Sequence, residues 1–150
     1  MDLVVGIGNT LRSDDGLGVR VVEALPPRRC AETLTVQQLT LDLTERLSKV
    51  DRVLFVDADA AGGAVELAPL HPAQAQAKLG HALSAEELLR WTVVEHDVCP
   101  EAWMLSVPGQ SFVLGEGLSP AAMRALESAR QVALGWLAGR SECEPNEEDE

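Results

Sequence analysis

Acidic side chains and a histidine, which could bind a metal ion, occur at three positions in the sequence. Asp14 and Asp15 follow the apolar run "DLVVGI" and a glycine turn, Asp57 closes the apolar run "RVLFVD", and His81 precedes the segment "SAEELL". Carboxylates and imidazole are ligands that divalent metal ions accept. In an open α/β sheet, ligands collect outside the carboxyl ends of parallel strands. These residues therefore predict a cation site at one edge of a sheet.

The acids also have explanations that need no ligand. Asp14 or Asp15 can cap the helix that follows and complement its dipole, an interaction of about 1 kcal/mol. Spacing alone favours this interpretation for one of the two. Asp57 is harder to explain in this way, because an acid at the end of an apolar strand needs a partner or exposure to water.

The identity of the imidazole ligand stays open on spacing alone. His71 and His96, which we place in loops, are alternatives to His81. Asp59 fits a turn residue close to the glycine pair that follows it. The predicted site therefore has two acidic positions and one histidine still to be chosen.

The glycine turn does not indicate a dinucleotide. Gly6 and Gly8 could let a pyrophosphate approach a helix N-terminus, but Leu11 stands where the third glycine of the motif is needed. The second strand ends in Gln37 and Gln38 rather than in an acid for a ribose hydroxyl. Two aspartates at the helix mouth would also repel a phosphate. The alternative for these glycines is a tight turn with close strand-to-helix packing.

The elements that position these residues alternate between strands and helices. We predict strands at 2–7, 33–39, 52–57 and 102–107, helices at 16–25, 43–49, 84–91 and 119–139, and a short antiparallel strand at 64–70. Ser84 with Glu87 forms a capping box, and Ser119 with Pro120 marks the start of the last helix. The alternation predicts an α/β fold whose parallel strands are joined by crossover helices.

Composition bounds the class of protein. A chain of 150 residues fits one domain, which we place at 1–140, followed by an acidic tail at 141–150 that is typical of a disordered segment. The formal net charge of −12 argues against nucleic acid as a partner. No apolar run approaches the ~20 residues that cross a bilayer, so we expect no membrane partner and a cytoplasmic protein.

The cysteines indicate neither a disulfide framework nor a structural zinc site. Cys30, Cys99 and Cys143 are odd in number, widely spaced and free of any CxxC motif. A chain that we expect in the cytoplasm keeps its thiols reduced. We therefore expect reduced thiols.

The motifs resemble those of the nickel-iron hydrogenase maturation proteases, also called hydrogenase maturation endopeptidases. The matching stretches are "GIGNTLRSDDGLGVRVVEAL" near the start, "RVLFVDADAAGG" in the middle and "GHALSAEELL" later, and the resemblance extends over about residues 3–138. It implies a three-layer helix-sheet-helix sandwich built on a twisted, mostly parallel sheet of about five strands.

The resemblance also implies a metal site and a reaction. Carried over by matching motifs, the metal-binding residues are Asp15, Asp57 and His81. The implied activity is removal of a C-terminal extension from the hydrogenase large-subunit precursor after nickel insertion. The nickel belongs to the substrate, whose cysteines hold it, and the three side chains would complete its coordination. We expect three residues of the start motif to shape the cleft: Gly6, Gly8 and Asn9.

Other functions use the same residues. A non-enzymatic nickel-binding chaperone or assembly module would hold nickel with the same three ligands, and an ordinary peptidase could share the fold. The stretches "QQLTLDLTERL" and "VPGQSFVLGEGLSP" resemble the subgroup that serves bidirectional, NAD-reducing hydrogenases. We expect the protein to be a monomer or a weak oligomer.

Overall fold

The computed structural model describes residues 1–73 and 82–139, so His81 and the predicted tail at 141–150 lie outside the described residues. The strands are β1 (Asp2–Ile7), β2 (Ala31–Val36), β3 (Arg52–Asp59), β4 (Glu66–Leu70) and β5 (Glu101–Pro108). The helices are α1 (Leu17–Glu23), α2 (Leu43–Leu47), α3 (Ala85–His96) and α4 (Pro120–Ala138), and a 3-10 turn at Ser13–Gly16 leads into α1.

The strands form one sheet in the order β2-β1-β3-β5-β4. Strand β1 pairs in parallel with β2 and β3, and β3 pairs in parallel with β5. Strand β4 is antiparallel to β5, as predicted from a connection that is too short for a crossover. The α/β fold with a mostly parallel, five-stranded sheet is therefore confirmed.

Helices cover both faces of the sheet because side chains alternate along each strand. Val4, Leu54 and Val56 pack on the face covered by α1 and α4. Val53 and Phe55 pack on the opposite face, covered by α2 and α3. The predicted three-layer sandwich is confirmed, and the core of β3 is buried on both sides.

The strand order creates a crevice at the carboxyl ends of β1 and β3. The chain passes from β1 to β2 on one side and then returns across β1 to form β3 on the other. The pairing of β1 with β3 ends at Gly6 and Val56, so the two strands separate immediately beyond that pair. Open α/β sheets bind ligands at such a switch point.

Two glycines bring α1 into backbone contact with this end of the sheet. A Cβ atom on Gly18 would lie 2.2 Å from the carbonyl oxygen of Val56 and 2.4 Å from that of Ile7. A Cβ atom on Gly6 would lie 2.5 Å from the carbonyl oxygen of Gly18. The close strand-to-helix packing that the glycine turn suggested is therefore present, and it fixes the start of α1 against β1 and β3.

Some element boundaries differ from the predicted ones. Helix α3 continues to His96 and ends at Asp97, which adopts a left-handed conformation with φ of 57°. The placement of His96 in a loop was therefore wrong. Strand β2 ends at Val36. The N–H of Gly8, just after β1, donates a hydrogen bond of 2.9 Å to the carbonyl oxygen of Val36. Gln37 and Gln38 consequently leave the strand.

Two further expectations concern thiols and membranes. Cys30 is disulfide-bonded, so the expectation of reduced thiols is wrong for that residue. Cys99 is a free, exposed cysteine. Within residues 1–73 and 82–139, no helix is long and apolar enough to cross a membrane.

Replacement of Gly18 by alanine should destabilise the protein by about 2 kcal/mol or more, because the new methyl group overlaps two backbone carbonyl oxygens. Gly135→Ala is the matched control, since a Cβ atom there meets nothing within 4 Å inside helix α4. That variant should gain about 0.5–1 kcal/mol from helix propensity. Urea unfolding measures both, and equal stability of the two variants would contradict the close approach of α1.

Candidate functional site

A cleft of about 350 Å³ opens at the carboxyl edge of the sheet. Ile7 and Met104 line it from the sheet, and Asp15 and Asp57 contribute carboxylates. The remaining wall comes from the loop after β2 and from the start of α3, namely Gln37, Gln38, Leu39 and residues 82–86, with Gly8 between them. The cleft thus lies at the predicted edge, on the side covered by α2 and α3.

Asp57 reaches the cleft from within β3, two residues before the strand ends. It follows Val53 and Phe55 at alternate positions, so its side chain projects from the same face of the sheet. Its Oδ1 accepts a hydrogen bond of 2.9 Å from the nitrogen of Ala58. Burial raises the pKa of Asp57 to about 6, with smaller contributions from the charges of Asp15 and Asp59, against the lowering effect of that hydrogen bond.

Asp15 approaches the same cleft from the 3-10 turn before α1. Its Oδ2 accepts a hydrogen bond of 2.9 Å from the nitrogen of Asn9. Its own nitrogen donates to the carbonyl oxygen of Arg12 at 3.0 Å. Its charge contributes, after burial, to the raised pKa of Asp57, so the two carboxylates lie close enough to interact across the cleft.

Asp14, although adjacent in sequence, points away from the cleft into the protein and is fully buried. Its Oδ2 accepts from the nitrogens of Gln110 and Ser111 at 2.8 and 3.0 Å and from the hydroxyl of Ser119 at 2.7 Å. Its Oδ1 accepts from the nitrogen of Ser119 at 2.9 Å. Asp14 therefore ties the loop after β5 to the loop after β1.

The pKa of Asp14 reflects this environment. Burial alone would raise it, but the hydrogen bonds from Ser111, Ser119 and Gln110 outweigh burial and hold the pKa below its usual value. Helix α1 has no side-chain cap, so the expectation that one of the two aspartates caps it was wrong. The carboxylate of Asp14 accepts its hydrogen bonds from Gln110, Ser111 and Ser119, which are distant in sequence, and not from the first turn of α1.

The start motif contributes backbone geometry to the cleft. Gly8 has φ of 146°, and a Cβ atom there would lie 1.9 Å from the carbonyl oxygen of Asp15. Asn9 closes the turn, since its Oδ1 accepts from the nitrogen of Leu11 at 2.9 Å. Gly6 packs beneath α1 and does not line the cleft. Gly8 and Asn9 thus hold Asp15 in position.

The three histidines differ in where they lie relative to the cleft. His71 and His96 are exposed, and neither lines the cleft. His81 lies outside the described residues, and the chain re-enters the description at Ala82, which lines the cleft. In the part of the chain that the structure describes, no group of three His, Cys, Asp or Glu side chains could hold a metal ion.

Other polar residues at the cleft have roles that the sequence indicated only in part. Gln37, Gln38 and Glu86 line it, although none was predicted as a site residue. The position of the glutamines directly after a parallel strand was the available signal. Asp59 instead accepts from the nitrogen of Ala61 at 2.9 Å, as expected of a turn residue.

The fold is shared with several solved structures. The chain aligns with hydrogenase maturating endopeptidase HybD from E. coli at 21% identity and a TM-score of 0.78, over 99% of both chains. The nickel-iron hydrogenase maturation protease HycI from Thermococcus kodakarensis aligns at 23% identity and a TM-score of 0.68, over 88% of both chains. The chain has the fold of these endopeptidases.

A third structure extends the comparison to another lineage. Hydrogenase 2 maturation peptidase from a Thaumarchaeota archaeon aligns at 21% identity and a TM-score of 0.66, over 91% of this chain and 97% of that one. No family model and no curated protein matches the sequence. At these identities the likeness establishes the fold.

Asp57→Asn should stabilise the protein at neutral pH. The pKa of Asp57 is raised from 3.8 to about 6 on folding, so its contribution to stability is fully present below pH 3.8 and is lost as the pH rises through about 6. The variant should therefore gain about 1–3 kcal/mol at pH 8 and nothing at pH 3.5. Glu66→Gln, which removes an exposed charge on β4, is the control. Urea unfolding at both pH values measures the free energies of unfolding. No gain in stability for Asp57→Asn at pH 8 would contradict the burial of Asp57.

Asp14→Asn should cost about 3 kcal/mol, because an amide keeps only one of the two acceptor oxygens and directs N–H groups at N–H donors. Asp59→Asn is the control, since its single acceptor contact survives the change, and it should stay within about 0.5 kcal/mol of the parent. Urea unfolding compares the two free energies. Equal values would show that Asp14 does not hold the two loops together.

Proposed function

We propose that this chain belongs to the nickel-iron hydrogenase maturation proteases and removes a C-terminal extension from the hydrogenase large-subunit precursor after nickel insertion. The observation that carries the proposal is the meeting of Asp15 and Asp57 in one cleft, at the switch point of this fold. The three aligned structures named above are hydrogenase maturation endopeptidases or peptidases. The motif resemblance supports the same assignment.

The carboxylate pair fits a cation that arrives with the substrate. Asp15 and Asp57 place two carboxylates in a partly buried cleft, where burial, and to a smaller extent the charge of Asp15, favours protonation of Asp57. A divalent cation in the cleft would favour the ionised form of both carboxylates and could accept them as oxygen ligands. With His81 from the sequence motif, the chain would supply two oxygens and one nitrogen. A nickel ion held by substrate thiolates then has a complementary set of ligands.

The cleft chemistry favours attack by water over a covalent intermediate. Ser84 is the hydroxyl residue among the described lining residues, and its Oγ accepts a hydrogen bond of 3.1 Å from the nitrogen of Glu87 as the cap of α3. Cys99 is exposed and does not line the cleft. A cation at this edge would polarise the scissile carbonyl group.

The partner and setting are further parts of the proposal. The substrate is a hydrogenase large subunit, and the motifs after β2 and β5 favour the bidirectional, NAD-reducing class. The protein acts in the cytoplasm as a monomer or weak oligomer, with nickel supplied by the substrate. The acidic composition, with a net charge of −12, supports a protein partner over nucleic acid.

The ligand assignment is tested by single variants that process a nickel-loaded precursor. Asp15→Asn, Asp57→Asn and His81→Ala should each lower the cleavage rate at least about 100-fold, because each removes a group that contacts the reacting centre. His71→Ala and His96→Ala are matched controls and should retain the parent rate, since both histidines lie away from the cleft. Intact-mass spectrometry follows the loss of the extension. Parent rates in Asp57→Asn or His81→Ala would overturn the assigned roles.

Nickel binding by the isolated protein separates this proposal from a nickel chaperone. A chaperone must hold nickel by itself, so calorimetry would show tight binding that the ligand variants abolish. An enzyme that contributes only part of the coordination shell should bind free nickel weakly. Tight binding together with no cleavage would favour the chaperone.

A further inference from the structure

Two loops run side by side next to the turn that carries Asp15. The segment at 11–13 and the segment at 113–115 form a parallel bridge between Arg12 and Gly115. Gly115 donates its N–H to the carbonyl oxygen of Leu11, and Ser13 donates its N–H to that of Gly115, both at 2.8 Å. The Ser13 hydroxyl also donates to the carbonyl oxygen of Val113 at 2.9 Å. Together with the four bonds to Asp14, these contacts fix both loops.

Large apolar side chains project from these fixed loops into solvent. Leu11 is 54% exposed, Val113 68% and Leu114 77%. Leu11 and Leu114 each precede the bridged pair by one residue, so they lie next to one another across the bridge. Single exposed apolar residues need no explanation, but a cluster on a rigid backbone marks an interaction site. Leu11, Arg12, Val113 and Leu114 are called the rim patch below.

Arg12 adds a charge to the rim patch. Its side chain is exposed, and no hydrogen bond or ion pair joins it to any residue in the described ranges. The chain as a whole carries a net charge of −12, so the exposed cation of Arg12 is opposite in sign to the net charge of the chain. A partner surface that meets it would combine apolar groups with a carboxylate.

The rim patch adjoins the turn that carries the cleft residue Asp15. The carbonyl oxygen of Arg12 accepts the N–H of Asp15 at 3.0 Å, so the rim patch and the cleft acid belong to one turn. A protein seated on the rim patch therefore lies next to Asp15 and can deliver a chain segment to the cleft. Because the backbone is already ordered, such docking costs little conformational entropy.

We propose that the rim patch is the docking surface for the folded body of the substrate protein, which meets it with an apolar surface bearing a carboxylate opposite Arg12. This inference rests on the proposed function and deepens it. The cleft receives the segment to be cut, and the rim patch holds the body of the same protein. Affinity and cleavage are thus assigned to different residues.

The test uses the double variant Val113→Glu/Leu114→Glu with the nickel-loaded precursor. The variant should raise KM and the dissociation constant of the complex at least about tenfold, with kcat unchanged, because charge replaces exposed apolar contacts outside the cleft. Val94→Glu on α3, where Val94 is 57% exposed, is the matched control and should keep the parent KM. Arg12→Glu is a second variant whose side chain makes no contact needed for folding. It should raise KM and weaken the salt dependence of association.

The outcomes separate the rim patch from the proposed function. If the parent protein cuts the precursor, and the double variant and Arg12→Glu both keep the parent KM, the docking surface is overturned and the protease proposal stays intact. A parent protein that binds the precursor without cutting it, while both variants lose binding, supports docking and overturns the protease proposal. Sedimentation that shows self-association abolished by the double variant, with precursor affinity unchanged, would identify the rim patch as an interface between copies and overturn docking.

Discussion

The carboxylate of Asp14 is the interaction on which the carboxyl edge of the sheet depends. It is fully buried and accepts four hydrogen bonds from the loop after β5 and the start of α4. A buried charge is tolerable only when its oxygens are fully hydrogen-bonded, and here they are. This arrangement joins two loops that meet only through tertiary structure, and it holds the turn that carries Asp15.

Adjacent aspartates thereby acquire opposite roles. Asp14 turns inward, where hydrogen bonds lower its pKa, whereas Asp15 turns toward the cleft. Asp57, across the cleft, has its pKa raised by burial and by neighbouring charge. Asp14 stabilises the fold through satisfied hydrogen bonds, whereas the burial of Asp57 costs stability when its carboxyl group is ionised. A cleft with this charge pattern is suited to a positively charged ligand.

Much of this architecture could be predicted from the sequence, because burial leaves a periodic signature. The apolar runs around Val5 and Phe55 indicate parallel strands. Because the carboxyl ends of parallel strands meet at one edge of the sheet, the segments with Asp15 and Asp57 are predicted to lie at that edge. Choosing Asp15 over Asp14 rested on the motif resemblance. Local spacing has no means to distinguish two adjacent acids that differ only in which way they turn.

The remaining features depend on contacts that spacing does not encode. The partners of Asp14 lie 96 to 105 residues away, so a helix cap was the natural local interpretation. Helix α3 runs on to His96 because Asp97 provides a left-handed end that is not evident from composition. The exposed apolar cluster of the rim patch likewise arises only when Leu11 and Leu114 are brought together by the fold.

The most direct test of the account is the intact mass of a hydrogenase large-subunit precursor, with and without inserted nickel, after incubation with the parent protein. A site built from Asp15, Asp57 and His81 to recognise substrate-borne nickel predicts a single C-terminal loss from the nickel-loaded precursor and no change in the nickel-free form. Equal cleavage of both forms, or cleavage of neither when the precursor is correctly loaded, would contradict it.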